Sequence, residues 1–418
     1  MGRATSNGLV DGLDPSNSGF PFEFSMLDRT PSVRGRAYTD TVLGLYVHIP
    51  FCAAICNYCN FNRGLFDREL KDRYLSALVS EIAAAGDGTA ADTIFFGGGT
   101  PSLLAPDEIA AIVESLRLHF ALTPDAEVTL EANPETVTRV SLEGFRQAGI
   151  NRLSFGVQSF RDAELERLGR LHSSARAEEA FQTARQAGFS NVSLDLMMWL
   201  PQQSVSDWLE SVDSLIRIGP DHASLYLLEI YPNAPLRDAM ARGQWSQAPD
   251  DDAADMYLAA MERLEDAGLV QYEISNVARG GLQSRHNRKY WTGGSWLGFG
   301  CGAHSTRDGV RWKNTSSTES YISAVASRAG CRTDVHVLSE DERLEEVLFM
   351  GLRLVEGVDV DAIAREFGVD VWGRYGDDLQ PFVSQELLVY DRPRLRLARP
   401  GMLLANEIMR VFISPSVR

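Results

Sequence analysis

Between Gly44 and about Gly268, short apolar β-rich runs alternate with segments of helical spacing: GLYVH at 44, DTIFF at 92, EVTLE at 127, RLSFGV at 152, NVSLD at 191 and ASLYLL at 223. Strands separated by crossover helices must run parallel, and their unbroken apolar character says that both faces are covered. The intervening segments agree. From Pro106 to Phe120, Ile109, Ile112, Val113 and Leu116 recur at the spacing of one helix face, which predicts an outer helix. Six strand-helix units result, and the fold class is α/β. Pattern alone does not separate a closed or partial barrel from a doubly wound sheet. In both, ligands gather at the carboxyl ends of the strands.

The rest of the 418 residues divides around this core. Residues 1–40 mix Gly, Ser, Asn, Asp and Pro without an apolar period, and are expected to form a flexible leader. The strand-helix region is bounded at 41–270. The segment 271–335 is rich in glycine and aromatics, with HNRKYWTGGSWLGFGCGAHS from His286 to Ser305, and reads as a loop-rich cap. Over 336–418, helical patterns at Glu342–Val355 and Asp361–Phe367 precede β-like pieces around Leu387 and Leu395, which predicts a small C-terminal α+β domain. A net charge of −17 would repel a phosphate backbone, so nucleic acid is not expected as a partner. No stretch approaches the roughly 20 apolar residues that span a bilayer. No basic segment followed by a hydrophobic one opens the chain, and cytoplasmic residence is expected.

Three of the five cysteines, Cys52, Cys56 and Cys59, form C-x₃-C-x₂-C directly after the first strand. That spacing does not resemble a disulfide framework. Three thiolates can hold three irons of a [4Fe-4S] cubane and leave the fourth iron open to an external ligand. The amine and carboxylate of S-adenosylmethionine (SAM) can chelate there, and an electron from the cluster could then cleave its carbon-sulfur bond. A structural zinc site with His48 as fourth ligand, or three unrelated thiols in a loop, are the competing readings. Cys301 and Cys331 are distant in sequence and read as ordinary buried or partly exposed cysteines.

YVHIPFCAAICNYCNF at 46–61 followed by FGGGTPS at 96–102 resembles the oxygen-independent coproporphyrinogen III oxidase family of radical SAM proteins. NRLSFGVQSF at 151, LGRLH at 168, NVSLDL at 191, GLRLVEGVD at 351 and LLANEIMRVF at 403 extend the similarity over about 370 residues. The resemblance implies a partial six-stranded (β/α) radical SAM barrel with a C-terminal domain of the HemN type. It also implies a cluster on Cys52, Cys56 and Cys59, and a SAM site comprising Tyr46, Tyr58, Gly98, Gly99, Thr100, Glu131, Gln158, Arg170 and Asp195. Glycines let backbone approach the ligand, the strand-end carboxylates can accept hydroxyl or ammonium groups, and Arg170 can fork onto a carboxylate. An electron donor such as flavodoxin or ferredoxin would accompany this chemistry.

The oxidases of the family carry a fourth cysteine two residues after the third, where this chain has Phe61. That substitution resembles the family's branch of radical SAM haem chaperones, which bind haem and deliver it to acceptor proteins. His286, Asn287, Tyr290 and Trp291 match the H-N-x-x-Y-W pattern of the same branch, which implies haem binding. Imidazole is a strong axial ligand, and the aromatic rings can pack on a porphyrin. An oxidase that turns coproporphyrinogen propionates into vinyls, or a radical SAM enzyme acting on another molecule, are the alternatives. After Asp195 the family reads close to D-L-I-Y-G-L-P-G-Q, whereas here Trp199 and Gln202 stand where glycines are expected. Trp199 is expected to narrow the cavity, to join a haem surface, or to pack in the core.

Overall fold

The computed structural model describes residues 42–232 and 234–413. The leader expected over 1–40 therefore lies outside the described residues. Six strands fall on the six runs read from the sequence: β1 (Leu43–Ile49), β2 (Ala90–Gly98), β3 (Ala121–Ala132), β4 (Arg152–Gln158), β5 (Val192–Met198) and β6 (His222–Leu227). They pair in parallel and in chain order, β1 beside β2 through to β6. A doubly wound sheet would reverse that order midway, so the sequential order resolves the choice in favour of a partial (β/α) barrel.

The outer helices include α1 (Arg68–Ala85), α2 (Pro106–His119), α3 (Arg139–Gln147), α4 (Ser174–Gln186), α5 (Val205–Ile218) and α6 (Asp250–Asp266). α2 shows why they form. Pro106 pre-sets the first turn, the Glu108 carboxylate accepts from the Ala105 amide at 2.8 Å, and Ile109, Ile112, Val113 and Leu116 are buried on one face. Each such aliphatic contributes roughly 1.5–3 kcal/mol by leaving water.

Two short strands, β7 (Val270–Glu273) and β8 (Asn276–Ala278), close the edge beyond β6. The chain then returns to the opposite edge. The loop-rich character expected over 271–335 is not what forms: a helix α7 (Arg285–Trp291) is followed by β9 (Trp296–Phe299), β10 (His304–Arg307), β11 (Val310–Asn314) and β12 (Arg332–Val337). β9 pairs in parallel with β1, and β10 to β12 continue antiparallel, giving a sheet of twelve strands among the described residues. These strands are only four to six residues long and broken by turns such as Asp308-Gly309, where both residues have positive φ, so their alternation is too brief to read.

C-terminal to them, α8 (Glu340–Gly351), α9 (Val360–Phe367) and α10 (Val371–Ser384) pack with a small sheet of β13 (Val358–Asp359), β14 (Leu388–Asp391) and β15 (Arg394–Leu397). α10 was masked in the sequence by Gly373, Gly376 and Pro381. Burial of Val371, Tyr375 and Leu379 at fourfold spacing overrides those weak formers. No described helix is long and apolar enough to cross a membrane.

Candidate functional site

At the carboxyl ends of the barrel strands lies a cavity of about 400 Å³ whose wall includes Cys52, Cys56 and Cys59. β1 ends at Ile49, and the chain passes through a two-residue strand at Phe51–Cys52, paired with Gly64–Leu65, into the loop that carries all three sulfurs. The loop is pinned from the β2 end. Gly99 donates its amide to the Ile49 carbonyl at 2.7 Å, and Thr100 to the Phe51 carbonyl at 2.8 Å. A Cβ on Gly99 would sit 2.7 Å from the Phe51 oxygen, and Gly98 has φ +112° with the His48 ring directly beneath it. Glycine is therefore required for the approach of two backbones as well as for facing the cavity.

All five cysteines are free thiols. Burial pushes the Cys52 thiol up, with a partly offsetting hydrogen bond from Thr100. Arg170 is nearly enclosed and reaches the Cys56 sulfur at 3.4 Å while donating to Asn133 Oδ1 and the Gly156 carbonyl at 2.8 Å. Its Nε is buried without a partner, which leaves a cation with spare donor capacity facing the cavity. Among the described residues no group of three or more His, Cys, Asp or Glu side chains is gathered as one closed ion site requires. His48 is also committed, its Nδ1 to the Tyr46 hydroxyl at 3.1 Å and its Nε2 to the Asn62 carbonyl at 2.8 Å. The zinc reading with His48 as fourth ligand does not fit these contacts. Three thiolates on separate irons of a cubane need no such convergence.

Two carboxyls occupy the floor. Glu131 ends β3 and accepts from the Gly98 amide at 3.2 Å, and burial with the neighbouring Asp195 pushes it up to about 8. Asp195 in β5 is raised by burial too, and Ser154 donates to it at 3.1 Å. Serine hydroxyls from Ser154, Ser193 and Ser224 only partly offset that burial, and two neighbouring carboxyls on one cavity favour a cationic or hydroxyl-bearing ligand. Gln158 closes β4 at φ +71°, a backbone setting uncommon for a non-glycine residue and one that clusters at ligand sites.

Eight of the nine residues expected at a SAM site, Tyr58, Gly98, Gly99, Thr100, Glu131, Gln158, Arg170 and Asp195, line this cavity together. Tyr46 does not. It lies one layer below, stacked on Phe95 at 6.2 Å and close to Glu131 through Gly97. The cavity also takes in Asn133, Ser154 and Tyr226, which the sequence reading missed. Asn133 follows the last residue of β3 and Tyr226 is next to last in β6, and that position was the available signal; Ser154 lies early in β4 and reaches the site through its bond to Asp195. Phe61, where a fourth cysteine would stand, lines the mouth and is 65% exposed.

The H-N-x-x-Y-W segment is elsewhere. α7 sits against the amino-terminal ends of the strands, tied by Arg285 and Lys289 to Asp92 and by the His286 amide to Glu127. His286 is 1% exposed, with Nδ1 bonded to Thr93 Oγ1 and Nε2 to the Tyr290 hydroxyl, both at 2.8 Å. Burial lowers its pKa to about 3. The expectation that His286 offers a ring nitrogen to haem iron meets a residue whose two nitrogens are both engaged inside the barrel. Ser284 caps the same helix, its hydroxyl accepting from the Asn287 backbone amide, while Tyr290 and Trp291 reach a surface groove.

Trp199 is not part of the wall of this cavity. Its indole donates to the Ala248 carbonyl at 2.7 Å and packs against the hydrophobic core. Trp199 and Gln202 have φ +63° and +58°. Both residues thus hold the left-handed backbone that glycine adopts without steric cost.

Residues 46–215 match the radical SAM superfamily and residues 338–404 the HemN C-terminal domain. The chain is 35% identical over 373 residues to the heme chaperone HemW of Bacillus subtilis, covering 88% of this chain and 98% of that protein. It is 36% identical to heme chaperone HemW of Mycobacterium tuberculosis, over 88% of this chain and 94% of that one. To the mitochondrial radical S-adenosyl methionine domain-containing protein 1 of Bos taurus it is 37% identical, covering 88% and 87%. Among solved structures, coproporphyrinogen III oxidase (HemN) of Escherichia coli superposes with a TM-score of 0.80 at 23% identity, over 89% of this chain and 90% of that one, a likeness of fold.

Proposed function

The chain belongs to the HemW family of radical SAM proteins, and from that premise we propose that it is a haem chaperone, binding haem and passing it to acceptor proteins. Radical SAM membership brings with it SAM and a [4Fe-4S] cluster. We assign the cluster to Cys52, Cys56 and Cys59. The observation that carries this reading is the convergence of those three sulfurs with eight of the nine expected SAM contacts on one cavity, with exposed Phe61 in place of a fourth sulfur.

When bound, such a cluster supplies an open iron for SAM and a single electron. The chain's own groups supply the rest. The raised Cys52 thiol must give up its proton to solvent for its thiolate to ligate iron, so loading would liberate protons. Arg170, held by Asn133 and Gly156, fixes a positive charge beside Cys56 and offers donors to a carboxylate. Glu131 and Asp195 take the cationic or hydroxyl end of the ligand, while Gly98, Gly99 and Thr100 hold the cysteine loop at its distance. Tyr46 supports Glu131 from beneath. In the haem-binding segment, His286 and Asn287 position α7, and Tyr290 and Trp291 face outward. An electron donor of the flavodoxin or ferredoxin type and the haem acceptors are the expected partners. Five unpaired thiols suit the reducing cytoplasm.

The full chain, reconstituted anaerobically with iron and sulfide, is expected to bind haem and to leave coproporphyrinogen III unconsumed in the presence of SAM and reductant. Steady conversion of coproporphyrinogen III would overturn the chaperone reading in favour of the oxidase.

A further inference from the structure

Outside the barrel, a groove of about 550 Å³ lies over the sheet extension between α7 and α8, within the size range of pockets for organic ligands. Its strands present one chemical face. Cross-strand partners share a face, and the register pairs Trp296 with Thr306, Thr306 with Arg311, His304 with Lys313, and Arg311 with His336. Two imidazoles, two cations and an indole therefore stand on the same side of β9 to β12. α7 adds Tyr290, edge-on to Trp296 at 4.7 Å between ring centres, and α8 adds Met350. Trp291 completes the aromatic wall, and its indole nitrogen is buried without a hydrogen-bond partner.

The histidines are not equivalent. Ring nitrogens of His48, His119, His172, His222, His286 and His336 each meet a protein partner. His304 differs. Its backbone carbonyl accepts from the Trp296 indole at 3.0 Å, which fixes the residue, while no protein hydrogen bond among the described residues reaches its ring. Partial burial and the nearby Lys313 and Arg311 lower its pKa, so the ring is neutral at pH 7 and keeps a free lone pair. Aromatic walls, a free imidazole and two cations in one concave face match a flat, apolar metal chelate that carries carboxylates.

We propose that this groove is where haem binds, with His304 as an axial ligand to the iron, Trp296 and Tyr290 against the porphyrin, and Arg311 and Lys313 meeting its propionates. The inference rests on the chaperone reading and moves iron ligation from His286, which has no free nitrogen, to a residue on the next structural element. Arg311 pairs with Glu346 and Lys313 with Asp334 at 2.7 Å. Those pairs are partly exposed and weak, so a propionate can exchange with them. The position of H-N-x-x-Y-W follows: the segment anchors α7 through His286 and lends Tyr290 and Trp291 to the groove.

Ferric protoporphyrin IX is titrated into the full wild-type chain and into His304→Ala, read by the Soret band and by electron paramagnetic resonance. Wild type should show a histidine-ligated spectrum. His304→Ala should lose it and bind at least about tenfold more weakly, since even outer-shell changes at metal sites cost 10–100-fold. Added imidazole should restore the ligand field in the variant. His304 is exposed and its backbone bond is kept, so circular dichroism should match wild type. Haem binding by wild type with an unchanged spectrum and affinity in His304→Ala overturns the groove assignment and leaves the chaperone reading intact. No haem binding by wild type overturns both.

Discussion

Replacing Glu131 with Gln isolates the electrostatic cost built into the cavity floor. In the folded chain this carboxyl is pushed from 4.5 up to about 8, by burial first and Asp195 second. In the unfolded chain it ionises near its ordinary value. Between those two pH values the unfolded state has released the proton and the folded state retains it, so stability falls as pH rises. At 1.36 kcal/mol per pH unit the full shift corresponds to about 5 kcal/mol lost by pH 8. Screening by water in the cavity would lower the folded-state pKa and so narrow the pH window and reduce the total, while the slope inside the window stays at about 1.4 kcal/mol per unit, one proton per chain. Glutamine keeps an acceptor for the Gly98 amide and removes the titration. Urea denaturation of the cluster-free chain from about pH 5.5 to 7.5 should therefore show a steeper decline for wild type, and Glu131→Gln should gain on it by about 1.4 kcal/mol per unit below the folded-state pKa. A slope from Asp195 remains in both. Parallel curves for the two proteins would refute the buried, protonated carboxyl.

Gly99→Ala places a Cβ 2.7 Å from the Phe51 carbonyl that clamps the cysteine loop. Overpacking of about 1–3 kcal/mol should displace Cys52, and iron per reconstituted chain should fall by half or more in metal analysis. At exposed Gln202, φ +58°, glycine should stabilise the chain by about 1 kcal/mol in chemical denaturation. Trp199→Gly relieves the same kind of strain and yet should destabilise by about 2 kcal/mol, because half-buried indole packing and the bond to Ala248 are lost.

What could be read in advance follows from the range of the signals. Six parallel strands were legible because each is a short β-rich run followed by a segment of helical spacing, and the sequential strand order then selected the barrel. Cys52, Cys56 and Cys59 stood out by their spacing, whereas Glu131 and Asp195 were implied by the family resemblance, each near the end of a strand, where a barrel gathers polar groups. Tyr46, implied by the same resemblance, is not part of the cavity wall and contacts Phe95 and His48 instead, a depth along β1 that a motif match does not convey. His286 shows a stronger limit. A histidine beside aromatics looks the same in sequence whether its nitrogens are free or committed to Thr93 and Tyr290, and those partners come from β2 and the next helical turn. The β9 to β12 extension was hidden by strand length, and with it His304, whose free imidazole becomes visible once cross-strand register is known. Trp199 and Gln202 were recognised as departures, but only backbone angles reveal that both hold a left-handed conformation that favours glycine.

The central claim is that Cys52, Cys56 and Cys59 hold a cluster whose open iron takes SAM within this cavity. Electron paramagnetic resonance of the dithionite-reduced, reconstituted chain with and without SAM tests it most directly. A [4Fe-4S] signal that shifts on adding SAM, and is absent from Cys52→Ala, Cys56→Ala and Cys59→Ala but unchanged in Cys301→Ala, is the predicted result. A signal indifferent to SAM, or one that survives loss of any of the three cysteines, would contradict it.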